Sequence, residues 1–155
     1  MKLIHGSFDK LTDLTVRAGD LYNGMFFSSS KRSAHGPGIS RYYYSVDIPD
    51  EDIGEAWVLA YEEASVDAAK ELWGEDYITM LDIVSDEINY NSADDEQREV
   101  LDRLFPGNDY GEMQWELQRQ ASLLAEKMGY KAVAVHDEHG TSYIVCPGAV
   151  MKEEE

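Results

Sequence analysis

The sequence predicts an α+β fold, and three observations lead there. Stretches rich in Tyr, Val, Ile and Phe lie at both ends of the chain. Between them, apolar residues recur at the three- and four-residue steps of amphipathic helices. The 155 residues, 43% of them apolar, suit a single domain of roughly 150 residues with its own core. Strands at the ends around a helical middle define α+β rather than an alternating α/β order. One domain is expected over residues 1–150, with an acidic tail over 151–155.

Taken in order, Lys2-Leu3-Ile4-His5-Gly6-Ser7 reads as a short strand ending in a turn at Gly6. Met25-Phe26-Phe27 is a second, entered through the turn dipeptide Asn23-Gly24. Lys31 to Ala34 suggests a short helix that Gly36-Pro37-Gly38 stops. Arg41 to Ile48 is a third strand, ended by Pro49. Trp57, Ala60, Tyr61, Ala64, Ala68 and Leu72 form one helical stripe ending at Gly74. Ile78, Leu81, Ile83 and Ile88 suggest a second, and Val100, Leu101 and Leu104 a third, between Ser92 and Pro106-Gly107. Met113, Leu117, Ala121, Leu124 and Met128 mark a fourth, with a capping box at Asp109 and Glu112 and a stop at Gly129. Lys131 to Val135 and Ser142 to Cys146 then make a hairpin around Asp137-Glu138-His139-Gly140. The final Glu153-Glu154-Glu155 is expected to fray.

Charge narrows the function. The formal net charge is -18, and residues 1–50, 51–100 and 101–155 carry +1, -14 and -5. An acid excess of that size repels phosphate backbones and anionic lipid, which argues against a nucleic-acid or membrane-surface binder. No apolar run approaches the roughly 20 residues of a membrane span, and Met1 to Gly6 lack the long apolar stretch expected of a signal peptide. The single cysteine, Cys146, excludes an internal disulfide, and a reducing cytoplasm is expected. An anionic small ligand finds its least hostile surface in the first third. The acidic middle is either a solvated helical face or a surface for a basic partner.

There is no P-loop, no G-x-G-x-x-G, no H-E-x-x-H and no EF-hand loop. His136 and His139 flank Asp137-Glu138, but so tight a spacing on a turn suits solvated residues, and no metal is expected. The remaining candidates suit a cationic nucleoside. His5 at a strand end can bond a ribose hydroxyl, and the Gly6 backbone can pair with a carboxamide. Aromatics on the next strand can stack on a planar cation, and a carboxylate from the far hairpin can stabilise an oxocarbenium-like centre. The competing readings are a core histidine at His5 and ordinary turn residues at Asp137 and Glu138.

His5-Gly6-Ser7, Gly24-Met25-Phe26-Phe27-Ser28 and Lys31-Arg32-Ser33-Ala34 resemble the NAD-binding motifs of His-Tyr-Glu-class ADP-ribosyltransferases. Tyr143-Ile144-Val145 is similar to that class's final motif. Trp115-Glu116-Leu117-Gln118, Gly129-Tyr130 and Asp137 to Tyr143 resemble, more narrowly, the phage anti-CRISPR ADP-ribosyltransferases that act on type I-F surveillance complexes. The resemblance implies a split β-sheet core and an NAD-dependent mono-ADP-ribosyltransferase acting in the host cytoplasm. It places His5 on the ribose, Gly6 and Ser7 in the same motif, and Ser33 beside the carboxamide. Phe26 stands where the class often has tyrosine. His35 occupies the usual stacking position, so Tyr42 or Tyr44 is expected to contribute. Ser142 occupies the usual glutamate position, which moves the catalytic carboxylate to Asp137, with Glu138 as the alternative. The implied partner is a basic host protein such as a CRISPR-complex subunit. The competing expectation is a non-catalytic acidic protein that blocks a basic groove by charge mimicry.

Overall fold

The computed structural model describes residues 1–19, 23–30, 41–137 and 140–154, residue 137 as backbone alone. The elements run β1 (Lys2–Ser7), β2 (Met25–Phe27), β3 (Tyr42–Asp47), β4 (Ile53–Glu55), α1 (Ala56–Leu59), α2 (Ser65–Trp73), α3 (Tyr77–Ser85), α4 (Asp95–Leu104), α5 (Tyr110–Lys127), β5 (Ala132–Asp137), β6 (Gly140–Val145) and β7 (Lys152–Glu154). They build an α+β fold with two sheets. One is antiparallel in the order β1-β3-β7; the other has the order β2-β6-β5-β4, with β4 parallel to β5.

Side chains alternate across each strand, so one sheet feeds two cores. Leu3, Tyr44 and Val46 of the first sheet pack with Phe27, Ala132 and Val145 of the second. Val133, Val135 and Ile144 leave the other face of the second sheet and meet Leu101, Leu117 and Leu124 of the helices. The fold is thus sheet, sheet, helices. Where β2 enters, Gly24 has φ +132°, and a Cβ there would lie 1.9 Å from the Val145 carbonyl oxygen. Only glycine lets this turn press so close to β6.

Several expectations are corrected. Gly6 does not turn the chain: it pairs with Tyr43, and Ser7 pairs with Tyr42. The single helix expected from Trp57 to Leu72 is two, α1 and α2, preceded by the unexpected strand β4. Ala56 and Leu59 are buried in the first, and Ser65, Ala68, Ala69 and Trp73 in the second. Those two sets do not share a face of one continuous 3.6-residue helix, so a break re-aims the chain. Tyr61, assigned to the stripe, is 80% exposed, and Ile78 is 60% exposed.

The helix expected between Ser92 and Pro106 is α4, which starts from a reciprocal capping box between Asp94 and Gln97. The next, α5, has half of its expected box, the Asp109 side chain accepting from the Glu112 N–H. The frayed tail is also corrected. Met151 is buried, and residues 152–154 form β7 against β3. Glu154 accepts from Ser45 Oγ at 2.5 Å and pairs with Lys2 Nζ at 2.6 Å. Lys2 and Ser45 together hold its carboxyl below the usual range. The helix expected at Lys31 to Ala34 lies outside the described residues.

Candidate active site

The two sheets are joined at a seam beside His5. Ile4 N–H donates to the Ser28 carbonyl at 2.7 Å, and Ser28 N–H returns to the Ile4 carbonyl at 2.8 Å. Ile4 therefore directs its main-chain groups away from β3, toward the outer edge of β1, where they bridge to Ser28. In an antiparallel ladder this direction alternates, so Gly6 directs its N–H and C=O the same way. Ser7 faces back, and its carbonyl accepts from Arg41 N–H at 3.0 Å. The strand thus ends with a glycine offering one donor and one acceptor to whatever lies along its edge.

His5 is fixed at this edge. Its Nδ1 lies 2.7 Å from the Phe26 carbonyl oxygen. A carbonyl only accepts, so Nδ1 carries the proton and the neutral ring keeps its lone pair on Nε2. The ring tilts against Phe27 at a centroid distance of 5.5 Å.

Beyond β1 the inter-sheet face of the four-stranded sheet is only partly covered: Ala134 is buried and Tyr143 packs against the inter-sheet core, while His136 and Thr141 are exposed. A cavity of about 380 Å³ opens there, with Ala134, His136, Thr141 and Tyr143 of β5 and β6 along it. Glu55 of β4 and Trp57 of α1 bound it on one side. Phe27 pairs with Tyr143, which places His5's aromatic neighbour on the same face as the cavity. His136 is itself held: its main-chain N–H donates to Glu87 Oε1 at 2.7 Å, and Nδ1 lies 3.1 Å from Glu87 Oε2. Trp57 stacks on its ring at 4.1 Å.

The expected residues divide as follows. His5, Ser7 and Tyr42 share one face of the first sheet, the face turned to the second. Ser7 Oγ donates to the Asp9 carbonyl at 2.6 Å. Phe26 pairs with Ile144, and its ring packs on the helix-side core; it reaches the site through its carbonyl. Phe27, not Phe26, is the aromatic ring at His5. Tyr44 is fully buried, its hydroxyl accepting from Leu11 N–H, so it cannot stack on a ligand. Asp137 closes β5 opposite Gly140. Ser142 pairs with Val135, a residue of the helix-side core, so position 142 faces away from the cavity. Ser33, His35 and Glu138 lie outside the described residues.

Sequence reasoning had Tyr143 only as part of the final motif, and missed Glu55, Trp57 and Glu87 as neighbours of the site. No spacing betrays them, because Glu87 and His136 are 49 residues apart in the chain. Cys146 fits the expected packing role: it is buried, and burial pushes its thiol up to about 11, away from the thiolate form. It borders a second cavity of about 360 Å³ at the other end of β5 and β6, beside Val46, Tyr130 and Gly148. Among the described residues no cluster of His, Cys, Asp and Glu has the form of a metal site. No described helix is long and apolar enough to cross a membrane.

With this geometry in place, the comparisons with known proteins are specific. The family model "Anti-CRISPR Type I-F ADP-ribosyltransferase AcrIF11" matches residues 1–154. A solved structure described as the crystal structure of an anti-CRISPR protein is similar, with a TM-score of 0.67 and 23% identity. The match covers 99% of this chain and 95% of that one, and at this identity it shows a shared fold. Among curated proteins none gives a significant match. The chain belongs to the anti-CRISPR type I-F ADP-ribosyltransferase family. It is an ADP-ribosyltransferase of anti-CRISPR function, and the family implies NAD as its substrate.

Proposed function

We propose that this ADP-ribosyltransferase binds NAD along the outer edge of β1, past its bridge to Ser28, and transfers ADP-ribose to a protein subunit of a type I-F surveillance complex. The observation that carries the reading is the pair His5 and Gly6. One holds an accepting Nε2 in place through the Phe26 carbonyl, and the other turns a main-chain donor and acceptor to the same edge. A ribose hydroxyl can donate to the first. A carboxamide, with one C=O and one NH₂, is complementary to the second.

Phe27 and Tyr143 supply aromatic surface beside them, and Ser33, His35 and Tyr42 remain candidates for the nicotinamide side. Asp137, or Glu138 beside it, supplies the carboxylate. Nicotinamide departure leaves positive charge on the ribose, so a fixed negative charge stabilises the transition state more than the ground state. The acceptor subunit has a basic surface, met by the acidic helices.

Two measurements test this together. Calorimetry should detect NAD binding that His5→Ala weakens by tenfold or more. Mass spectrometry of purified type I-F complex should find ADP-ribose on one protein subunit after incubation with enzyme and NAD. Absence of NAD binding at millimolar concentration, with or without the complex, contradicts the reading.

A further inference from the structure

We propose that His136 is the general base that takes the proton from the acceptor nucleophile, and that Glu87 is the positioning residue that holds it for that task. The inference rests on the cleft being the NAD site and goes beyond it by assigning the acceptor half of the reaction. Three observations converge. First, Glu87 reaches His136 twice, through the main-chain N–H at 2.7 Å and through Nδ1 at 3.1 Å. A carboxylate only accepts, so Nδ1 bears a proton, and whenever the ring is neutral its lone pair is on Nε2. Trp57, stacked on the ring at an interplanar angle of 16°, fixes its plane.

Second, Glu87 adopts φ +49°, alone among the described non-glycine residues in having positive φ. A side chain held in that region costs on the order of 1 kcal/mol or more, and such cost persists where the surroundings impose it. Here the residue is the C′ position that ends α3, with Ile88 N–H bonded to the Ile83 carbonyl at 3.0 Å and Glu87 N–H to the Val84 carbonyl at 3.2 Å, a place usually held by glycine and here by a carboxylate aimed at β5. β4 has ended at Glu55, opposite Ala134, so the His136 N–H on that side has no strand partner and takes the Glu87 carboxylate instead.

Third, His136 lies on the cavity with Thr141 and Tyr143, and its neighbour in the chain is Asp137. Glu55 and Asp50 line the same cavity, Asp50 paired with the Met1 amino group at 3.3 Å.

The step balances as follows. The bond between ribose C1′ and the nicotinamide nitrogen breaks, and its electron pair leaves with neutral nicotinamide. A lone pair on the acceptor nitrogen or oxygen forms the new bond to C1′. The proton that the acceptor loses passes to His136 Nε2, and the resulting imidazolium stays paired with the Glu87 carboxylate. The acceptor class is therefore a side chain that must shed an N–H or O–H proton on attack.

The test measures two products at once: ADP-ribose on the acceptor complex, and ADP-ribose released to water. In His136→Gln and His136→Ala, transfer should fall more than tenfold relative to hydrolysis. Added imidazole should raise transfer by His136→Ala at least threefold, because a diffusible base replaces the missing one. Glu87→Gly removes the carboxylate while relieving the positive φ. It should keep or raise the melting temperature yet lower the kcat for transfer, with little change in the KM for NAD. An unchanged ratio of transfer to hydrolysis in His136→Gln overturns the assignment. So does an equal fall of both products with no imidazole rescue, which marks a purely structural role. A wild-type protein that releases no nicotinamide at all instead overturns the NAD-site reading, before any variant is made.

Discussion

One face of the four-stranded sheet is covered along β5 and β6, with Val133, Val135 and Ile144 buried against Leu101, Leu117 and Leu124 of the helices. The other face is covered over only half its length. Ala132 and Val145 lie beneath Leu3 and Tyr44, while Ala134, His136, Thr141 and Tyr143 border a cavity. The same alternating strands supply both faces. What differs is the span of the covering layer: the five helices cover more than three short strands can. Stability is concentrated where coverage is complete, and chemistry where it stops.

The largest expected effect lies on the covered face. Leu124 is fully buried there, and Leu124→Ala should cost about 2–5 kcal/mol in urea unfolding, by lost transfer energy and the cavity left behind. The half-exposed Tyr143→Ala should cost clearly less while harming activity more. If the two variants unfold at the same urea concentration, the contrast between the faces fails.

The next effect is catalytic. Asp137→Asn removes a charge at the cavity end of β5 and should cut ADP-ribose transfer by about a hundredfold, the scale of losing one electrostatic stabiliser. NAD affinity and melting temperature should stay close to wild type. Full activity in Asp137→Asn removes this assignment, and loss confined to Glu138→Gln moves the role one residue along.

A smaller effect sharpens the account of the covering sheet. Glu154 in β7 is held by Lys2 and Ser45, and its carboxyl lies below the usual value of 4.5. A depressed carboxyl contributes stability that is fully present above its unfolded value and is lost as pH falls through its folded one. Glu154→Gln should therefore lower the melting temperature slightly at pH 7 and make no difference once the pH is well below 4. A difference that persists in acid excludes this ion pair as the cause.

The smallest effect belongs to the outer surface. Reversing Glu63, Asp95 and Glu96 together should slow association with the complex several-fold at low salt, with the difference fading as screening shortens to roughly 8 Å. Glu62, although acidic, is not part of this set, because it accepts from the Tyr130 hydroxyl and pushes that phenol up to about 12. An association rate independent of salt and of these reversals leaves the acids as a solubilising face.

The same contrast explains what the sequence made legible. The long helix α5 and the hairpin of β5 and β6 were readable, because periodicity, a cap and a turn agree over many residues. The break between α1 and α2 was not. It follows from β4 pairing in parallel with β5, a contact between residues far apart in the chain. β7 was hidden for a related reason: Lys152-Glu153-Glu154 has a tail's composition, and only pairing with β3 makes it a strand. In the site, His5 and Gly6 were legible as a strand-end motif. Phe26 was chosen over Phe27 because the face of each is set by the pairing with β6, not by residue type. Glu87 and Trp57 carried no local signal at all.

The central claim is that NAD runs from His5 and Gly6 at the edge of β1 toward Tyr143 and the cavity on the inter-sheet face. Amide resonances followed by heteronuclear NMR during an NAD titration test it most directly. The account predicts shifts centred on His5, Gly6, Phe27, His136, Thr141 and Tyr143, with little change in α4 or around Cys146. Shifts confined to the second cavity, at Tyr130, Cys146 and Gly148, would contradict it.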